Sequence, residues 1–287
     1  MSSRPFGTFS STGYFAPPVR VAIDGHSLAA VHLEMLRDDL SLAIGSGVLW
    51  RHAGIPYVIT AWHCLSGTHY QTRQSINSKT GARPNRVRVS MLRPIGTKSH
   101  DIFLYDEHGA SVWLSHPLGS REIDLAALPL PQETMNGIAG FPINELLGST
   151  VKHPNRLDFP VFVGSDLFII GYPRGLNRRG LPMWKRASLA IDPDAIFDAT
   201  DQRHWLVDTA SREGLSGSVV IARVDGVTGR GDGSLSVGGP PHLTKVVGIY
   251  SGRIGSDDHF AAQIGIVWPI NLVEQLLLAQ QRDDFHC

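Results

Sequence analysis

Three side chains that together could activate a serine occur in the order His63, Asp124 and Ser216. Each lies where an apolar segment meets a turn, in the segments Thr-Ala-Trp-His-Cys, Ile-Asp-Leu-Ala-Ala-Leu and Gly-Leu-Ser-Gly-Ser. The order His, Asp, Ser is one of the few chain orders known to build a Ser-His-Asp triad. Together the three segments predict a serine hydrolase with Ser216 as its nucleophile.

The roles follow from the chemistry of a serine hydroxyl, which is a weak nucleophile at neutral pH and needs a base within hydrogen-bond reach. His63 would accept the Ser216 proton and return it to the leaving group, while Asp124 would hold the other ring nitrogen. The backbone N–H groups of Gly214 and Ser216 would stabilise the oxyanion of the tetrahedral intermediate. Because glycine has no Cβ, the turn at Gly214 can point both amides at one spot.

The sequence supports neither a zinc site nor an α/β-hydrolase triad. A zinc site built from His52, His63, Cys64 and His69 has no CxxC or HExxH pattern to support it. The α/β-hydrolase order places the serine before the acid and the histidine, whereas here the serine comes last. We therefore expect neither a metal nor a cofactor.

Short strands are the elements expected to position these residues, because the 30 glycines and 18 prolines are spread between short apolar segments. A hairpin turn is predicted at 106–109, and a Gly-rich surface hairpin at 226–239. The candidate strands are 42–50, 56–61, 86–92, 101–105, 111–114, 123–128, 167–171, 205–208, 218–223, 245–250 and 263–267.

Two helices are predicted. Apolar residues recur at helical spacing at Ile270, Val273, Leu276 and Leu277, after Pro269, which suits the start of a helix. The segment 26–37 is interpreted as a second, short helix.

The domain organisation is predicted from a segment rich in proline and glycine over 129–160. Residues 1–39 form an N-terminal extension, 40–135 carry the histidine and aspartate, 136–160 are a linker, and 161–287 carry the serine and the terminal helix. A site assembled between two β-rich halves is the natural consequence.

Composition limits the function classes. Lys plus Arg and Asp plus Glu both number 26, so the neutral chain has no global field to attract nucleic acid or an anionic membrane. No apolar run approaches the roughly 18 residues of a membrane span. The N-terminus lacks the apolar core of a signal peptide, and Cys64 and Cys287 are interpreted as free thiols. These features predict a cytoplasmic protein.

The chain resembles the trypsin-like, chymotrypsin-fold serine peptidases, especially their bacterial branch. Residues 60–64 are similar to that family's T-A-A-H-C motif, 124–128 to D-I-A-L-L, and 214–218 to G-[DN]-S-G-[GS]. The resemblance covers roughly residues 40–282. It implies an all-β fold of two six-stranded antiparallel β-barrels with a C-terminal helix, an active site in the cleft between the barrels, and a protein or peptide substrate.

Three departures from the family pattern leave alternatives open. Trp62 replaces a small residue beside the histidine, Leu215 replaces an acidic or amide residue before the serine, and Cys64 lacks the partner cysteine of secreted members. A serine endopeptidase is the primary hypothesis. A catalytically inactive binding module with this fold, or a peptidase activated by a partner, are the alternatives.

The resemblance also implies a primary specificity pocket, with Ala210 near its base, Ser251, Gly252 and Arg253 along one wall, and Gly265 on another. No acid lies at the base, which disfavours a preference for Lys or Arg. Either the pocket takes apolar side chains, or Arg253 reaches in and favours an acidic one. A basic stretch, interpreted as a solvated loop or as a guide for acidic substrates, comprises Arg174, Arg178, Arg179, Lys185 and Arg186.

Overall fold

Antiparallel strands dominate the residues that this computed structural model describes, which are 23–77, 80–146, 159–193, 203–210, 212–225, 228–229, 235–236, 242–253 and 263–286. The first half of the chain forms a seven-stranded sheet, and the second half forms a closed six-stranded barrel. The predicted all-β fold with a C-terminal helix is confirmed. The first unit has seven paired strands rather than the six implied by the resemblance, because a two-residue strand adds to one edge.

The first sheet has the strand order β5-β4-β1-β2-β3-β7-β6. Two short helices belong to this half of the chain, α1 (Gly25–Ala29) and α2 (Trp62–Ser66). The strands are β1 (Ala30–Arg37), β2 (Leu40–His52), β3 (Ile55–Thr60), β4 (Arg86–Leu92), β5 (Thr97–Phe103), β6 (Leu114–Ser115) and β7 (Ala126–Pro129).

The prediction of a helix over 26–37 is wrong beyond Ala29. Residues 30–37 form β1, which pairs with both β2 and β4. Val31, Leu33 and Met35 are buried while His32 and Glu34 between them are partly exposed, which is the two-residue period of a strand. The segment predicted as an N-terminal extension therefore contributes one strand to the first sheet.

The second barrel closes in the order β10-β15-β14-β11-β8-β9. The prediction did not include β9, because Lys185 and Arg186 belong to the basic stretch interpreted as a loop, whereas they lie within this strand. The predicted Gly-rich hairpin is represented by β12 (Thr228–Gly229) paired with β13 (Leu235–Ser236). The barrel strands are β8 (Asp166–Gly171), β9 (Met183–Leu189), β10 (Trp205–Asp208), β11 (Val219–Asp225), β14 (His242–Arg253) and β15 (Ile264–Pro269).

The predicted C-terminal helix is confirmed as α3 (Ile270–Ala279), which follows Pro269 at its N-cap. It buries Leu272, Val273, Leu276 and Leu277 in the main hydrophobic core. Residues 280–286, here called the C-terminal segment, then run back over the first sheet. The Ser115 N–H donates to the Gln281 carbonyl, so this segment is tied to β6.

Other local features agree with the sequence in part. The predicted turn at 106–109 is present: Gly109 has φ +76°, and the Asp106 carboxylate accepts hydrogen bonds from the His108 and Ala110 N–H groups. Cys64 is a buried free thiol, whereas Cys287 lies outside the described residues. Of the helices that the structure describes, none has the length and apolarity to span a bilayer.

Strand pairing places the three predicted catalytic residues near one another. Thr60 and Ala126 pair at the ends of β3 and β7, so His63 and Asp124, two or three residues away, emerge side by side. Val219 at the start of β11 pairs with Ile249 of β14, which places Ser216 beside the end of β14.

Candidate active site

The His63 imidazole lies on α2, directly after the buried strand β3. Its Nδ1 is 2.6 Å from Asp124 Oδ2, and its backbone N–H donates to Asp124 Oδ1 at 2.9 Å. With the carboxylate ionised, Nδ1 carries the proton and Nε2 is left as the acceptor. This is the tautomer that a general base needs.

Asp124 is 1% exposed and has a third donor, the Ser251 hydroxyl, 2.6 Å from its Oδ2. A buried carboxylate is costly unless hydrogen bonds or a counter-charge satisfy it, and these three donors do so. Ser251 was assigned by resemblance to a substrate-pocket wall, but its hydroxyl faces the carboxylate. Sequence reasoning missed this role, because 127 residues separate the two positions.

Ser216 lies in a tight turn between Gly214 (φ +87°) and Gly217 (φ +85°). Its hydroxyl donates to the Ser251 carbonyl at 3.1 Å. Between the described atoms of Ser216 and His63 there is no hydrogen bond in this resting state. Such contacts are often long or poorly aligned in free enzymes and form fully when substrate is bound.

The buried Ser46 side chain braces the serine turn. Its hydroxyl donates to the Gly214 carbonyl at 2.7 Å and accepts the Tyr172 N–H at 2.9 Å. Its own N–H donates to the Ser216 carbonyl at 2.8 Å, and its carbonyl accepts the Thr60 hydroxyl at 2.8 Å. Ser46 thus connects β2, β3 and the end of β8 to the turn that carries Ser216.

The Glu213–Gly214 peptide is held in one orientation by the Arg174 N–H, which donates to the Glu213 carbonyl at 2.6 Å. The described peptide bonds are all trans, so the Gly214 N–H points away from that carbonyl. Within the described residues, the N–H groups of Gly214 and Ser216 donate to no protein acceptor. Gly214 and Ser216 both line the same cleft.

The pKa of His63 reflects two opposing effects. Burial lowers it, but the negative charge of Asp124, the neighbouring Cys64 and the Asp124 hydrogen bond outweigh burial and raise the pKa well above its usual value. Protonated His63 cannot accept the Ser216 proton. The state competent for catalysis is therefore lost as pH falls through this raised pKa.

We predict a single ascending limb in the pH dependence of kcat/KM, with an apparent pKa above the 6.5 of a free histidine. Activity falls tenfold per pH unit on the acid side, since one proton inactivates the base. Initial rates on an uncharged peptide substrate across the acid and neutral range measure this. A midpoint below 6.5 would contradict the proposed His63–Asp124 pair.

The residues assigned to the specificity pocket fall on adjacent strands. Arg253 pairs with Gly265 between β14 and β15, and Gly252 pairs with Ile266. Ala210 follows β10, whose Val207 pairs with Gly265 from the other side. Residues 211 and 254–262 lie outside the described chain.

Tyr250 occupies the space beside Gly265. A Cβ placed on Gly265 would lie 2.5 Å from the ring of Tyr250, which is fully buried in the barrel core. A glycine at this position is therefore required by the packing of that ring.

Leu215, which stands where the resembling family has an acid or amide, is fully buried. It belongs to the core of the second barrel with Val220 and Val267. Apolar burial therefore anchors the serine turn, and the loss of a polar anchor at this position does not leave the turn unsupported.

Trp62, the other unusual neighbour, is also fully buried and points away from the cleft. Its Nε1–H donates to Asp283 Oδ2 at 2.9 Å, the Arg73 guanidinium lies 4.2 Å from the ring centroid, and Phe285 meets it edge-on. Burial raises the pKa of Asp283, although hydrogen bonds from Phe285, Ser115 and Trp62 oppose this. The C-terminal segment thereby anchors the helix that carries the histidine.

Trp62→Phe is expected to lower the free energy of unfolding by about 1–3 kcal/mol, because it removes one donor from the buried Asp283 carboxylate, which keeps only those from Phe285 and Ser115. Trp113→Phe is the matched control: Trp113 is equally buried, and its Nε1 has no hydrogen-bond partner in the described chain. Urea denaturation of both variants measures the difference. Equal losses would show that the Trp62–Asp283 bond contributes nothing.

The described residues contain no cluster of three or more His, Cys, Asp or Glu side chains that could hold a metal ion.

Comparisons with known proteins give structural likenesses. No protein family model matches the sequence. No curated protein matches it either. The described strands form a seven-stranded antiparallel sheet and a closed six-stranded barrel.

Three similar solved structures are bacterial proteases. The active form of the Rv3671c protease from M. tuberculosis has a TM-score of 0.49 and 18% identity, covering 88% of this chain and 81% of that one. A serine endoprotease from Yersinia pestis has a TM-score of 0.47 and 17% identity, covering 89% and 65%. An inactive mutant form of Rv3671c has a TM-score of 0.45 and 17% identity, covering 88% of each chain.

Proposed function

We propose that this protein is a serine endopeptidase that hydrolyses peptide bonds through an acyl-enzyme on Ser216. The observation that carries the proposal is the 2.6 Å contact between His63 Nδ1 and Asp124 Oδ2. Ser216 lies nearby, and its own N–H and that of Gly214 donate to no described protein acceptor. The protein acts on protein or peptide substrates and uses its own side chains for every step.

Acylation begins when Ser216 Oγ attacks the carbonyl carbon of the scissile bond and its proton passes to His63 Nε2. The carbonyl oxygen becomes an oxyanion and accepts hydrogen bonds from the Gly214 and Ser216 N–H groups. The intermediate then collapses: the C–N bond breaks, and the leaving amine takes the proton from His63. Asp124 stabilises the imidazolium throughout without becoming protonated.

Deacylation repeats these steps with water. His63 removes a proton from water as the water oxygen attacks the acyl carbon, and the proton returns to Ser216 Oγ as the ester bond breaks. The carboxylic acid product then leaves, and the enzyme is restored.

The primary specificity that we propose is for apolar or acidic side chains and excludes trypsin-like cleavage. The exposed Arg253, at the end of β14, pairs with Gly265 of β15. The Arg253 cation and the glycine therefore lie on adjacent strands. The structure offers no acidic side chain among Ala210, Ser251, Gly252, Arg253 and Gly265 that could pair with a substrate Lys or Arg.

Profiling a diverse peptide library by mass spectrometry tests this function. We expect internal cleavage after apolar or acidic residues by the wild type, and none by Ser216→Ala. Strong cleavage after Lys or Arg would refute the specificity, and equal cleavage by both proteins would refute the role of Ser216.

A partner-activated form of the same enzyme is favoured by one observation, the resting hydrogen bond from the Ser216 hydroxyl to the Ser251 carbonyl. A ligand that draws this hydroxyl to His63 Nε2 would raise activity without changing the fold. An increase in cleavage rate when a cell extract is added to purified wild type, but not to Ser216→Ala, would identify this form.

A further inference from the structure

A cleft of about 590 Å³ opens directly beside His63 and Ser216. This volume is in the range of small-ligand sites, about 300–1,000 Å³. Its walls come from the start of β2, from α2, from the chain before β4 and from the serine turn. None of the residues assigned to the primary pocket lines it, so it is a separate subsite.

The walls of this cleft are mainly apolar. Among the described lining residues, Glu213, His63 and Cys64 are the ones with titratable side chains, and Glu213 is exposed. Ile76 is 51% exposed, which is a large apolar surface left open to water. The apolar lining residues are Met35, Leu42, Ala43, Ile44, Ile76, Ala82 and Pro84.

The wall that contains Ile76 is held in place. The Ile76 N–H donates to the Gly67 carbonyl at 2.9 Å, at the end of α2. A Cβ on Gly67, whose φ is +68°, would lie 2.4 Å from the Pro84 ring, so this chain packs tightly on the helix. A preformed wall binds a side chain with little ordering cost.

The position of the cleft relative to His63 identifies which part of a substrate enters it. Because Nδ1 faces Asp124, the reactive Nε2 faces away from that carboxylate, and His63 itself lines the cleft. The leaving group must lie on the side from which His63 gives up its proton. Ser251, whose carbonyl accepts the hydrogen bond from the Ser216 hydroxyl, does not line the cleft.

We propose that this cleft is a binding site for the residue that follows the scissile bond, and that it selects an apolar side chain such as Leu or Phe. The inference rests on the proposed peptidase function and adds a second determinant of substrate choice. An acidic side chain at this position is disfavoured, because Glu213 repels it and no Lys or Arg is among the described lining residues.

Competition for the acyl-enzyme tests the subsite independently of the primary pocket. A peptide p-nitrophenyl ester acylates Ser216, and an amino-acid amide then competes with water. The amine nitrogen attacks the acyl carbon, the bond to Ser216 Oγ breaks, and the amine proton passes through His63 to that oxygen. The ratio of aminolysis to hydrolysis reports how well each amide fills the leaving-group site.

We expect leucine and phenylalanine amides to capture the acyl-enzyme about tenfold more effectively than glycine or aspartate amide. Ile76→Lys should reduce the preference for leucine amide and increase capture by aspartate amide. Ile95→Lys is the matched control, because Ile95 is 92% exposed and does not line the cleft. This variant should prefer the amino-acid amides in the same order as the wild type.

Two results would overturn the proposal in distinguishable ways. Ester turnover with equal capture of all amides would refute the apolar subsite and leave the peptidase function intact. The absence of any ester turnover by folded wild type would refute the peptidase function and, with it, the subsite.

Discussion

Asp124→Asn is expected to lower kcat about 10⁴-fold while the protein remains folded. The carboxylate accepts hydrogen bonds from the His63 N–H, from His63 Nδ1 and from the Ser251 hydroxyl. An asparagine would present its NH₂ group to Nδ1 and favour the tautomer with the proton on Nε2. That tautomer cannot accept the Ser216 proton, so the base is lost without any change in shape.

The control for this variant is Asp166→Asn, which removes an exposed carboxylate paired with Arg186 on the second barrel. It should leave kcat unchanged, since surface ion pairs contribute little and Asp166 lies outside the cleft. Steady-state kinetics and thermal unfolding of both variants make the comparison. If Asp124→Asn kept more than about a tenth of wild-type kcat, a triad mechanism would be excluded.

Gly214→Ala is expected to lower kcat about 10²–10³-fold, with KM nearly unchanged. Gly214 has φ +87°, and a Cβ there would lie 2.5 Å from the Tyr172 carbonyl oxygen and 2.9 Å from the Arg174 nitrogen. Both are backbone atoms, so the Glu213–Gly214 peptide has to rotate. Its N–H would then no longer point towards the oxyanion, which forms in the transition state and not in the bound substrate.

Gly164→Ala provides the matched control. Gly164 has a similar φ of +82°, but a Cβ there would have no atom within 4 Å. The backbone strain is shared by the two variants, whereas the collision with the chain beside the active site is unique to Gly214. Similar kcat values for the two variants would show that the Gly214 amide does not stabilise the transition state.

Much of the fold could be predicted because it is encoded locally. Strands β4 and β10 have the predicted bounds, and α3 buries Val273, Leu276 and Leu277 as their spacing indicates. These segments carry a clear two-residue or 3.6-residue apolar period between turn residues. The helix predicted over 26–37 was wrong beyond Ala29, because the apolar residues there fit both periods and pairing with β2 and β4 favours the strand.

The supports of the candidate site could not be predicted, because they join distant parts of the chain. The hydroxyl of Ser46 contacts Gly214 across 168 positions, and Trp62 contacts Asp283 across 221. No local pattern of apolar residues or motif spacing in the sequence predicts either contact. Sequence motifs identify the candidate catalytic side chains, whereas long-range packing determines what holds them in place.

Reaction with a fluorophosphonate probe tests the central claim most directly, because the probe bonds covalently to a serine oxygen that a neighbouring base has activated. Intact-mass measurement and tandem mass spectrometry of the folded protein locate the adduct. We predict one adduct per chain, on Ser216, with none in Ser216→Ala and strongly slowed labelling in Asp124→Asn. An adduct on another residue, or no adduct on folded wild type, would contradict the account.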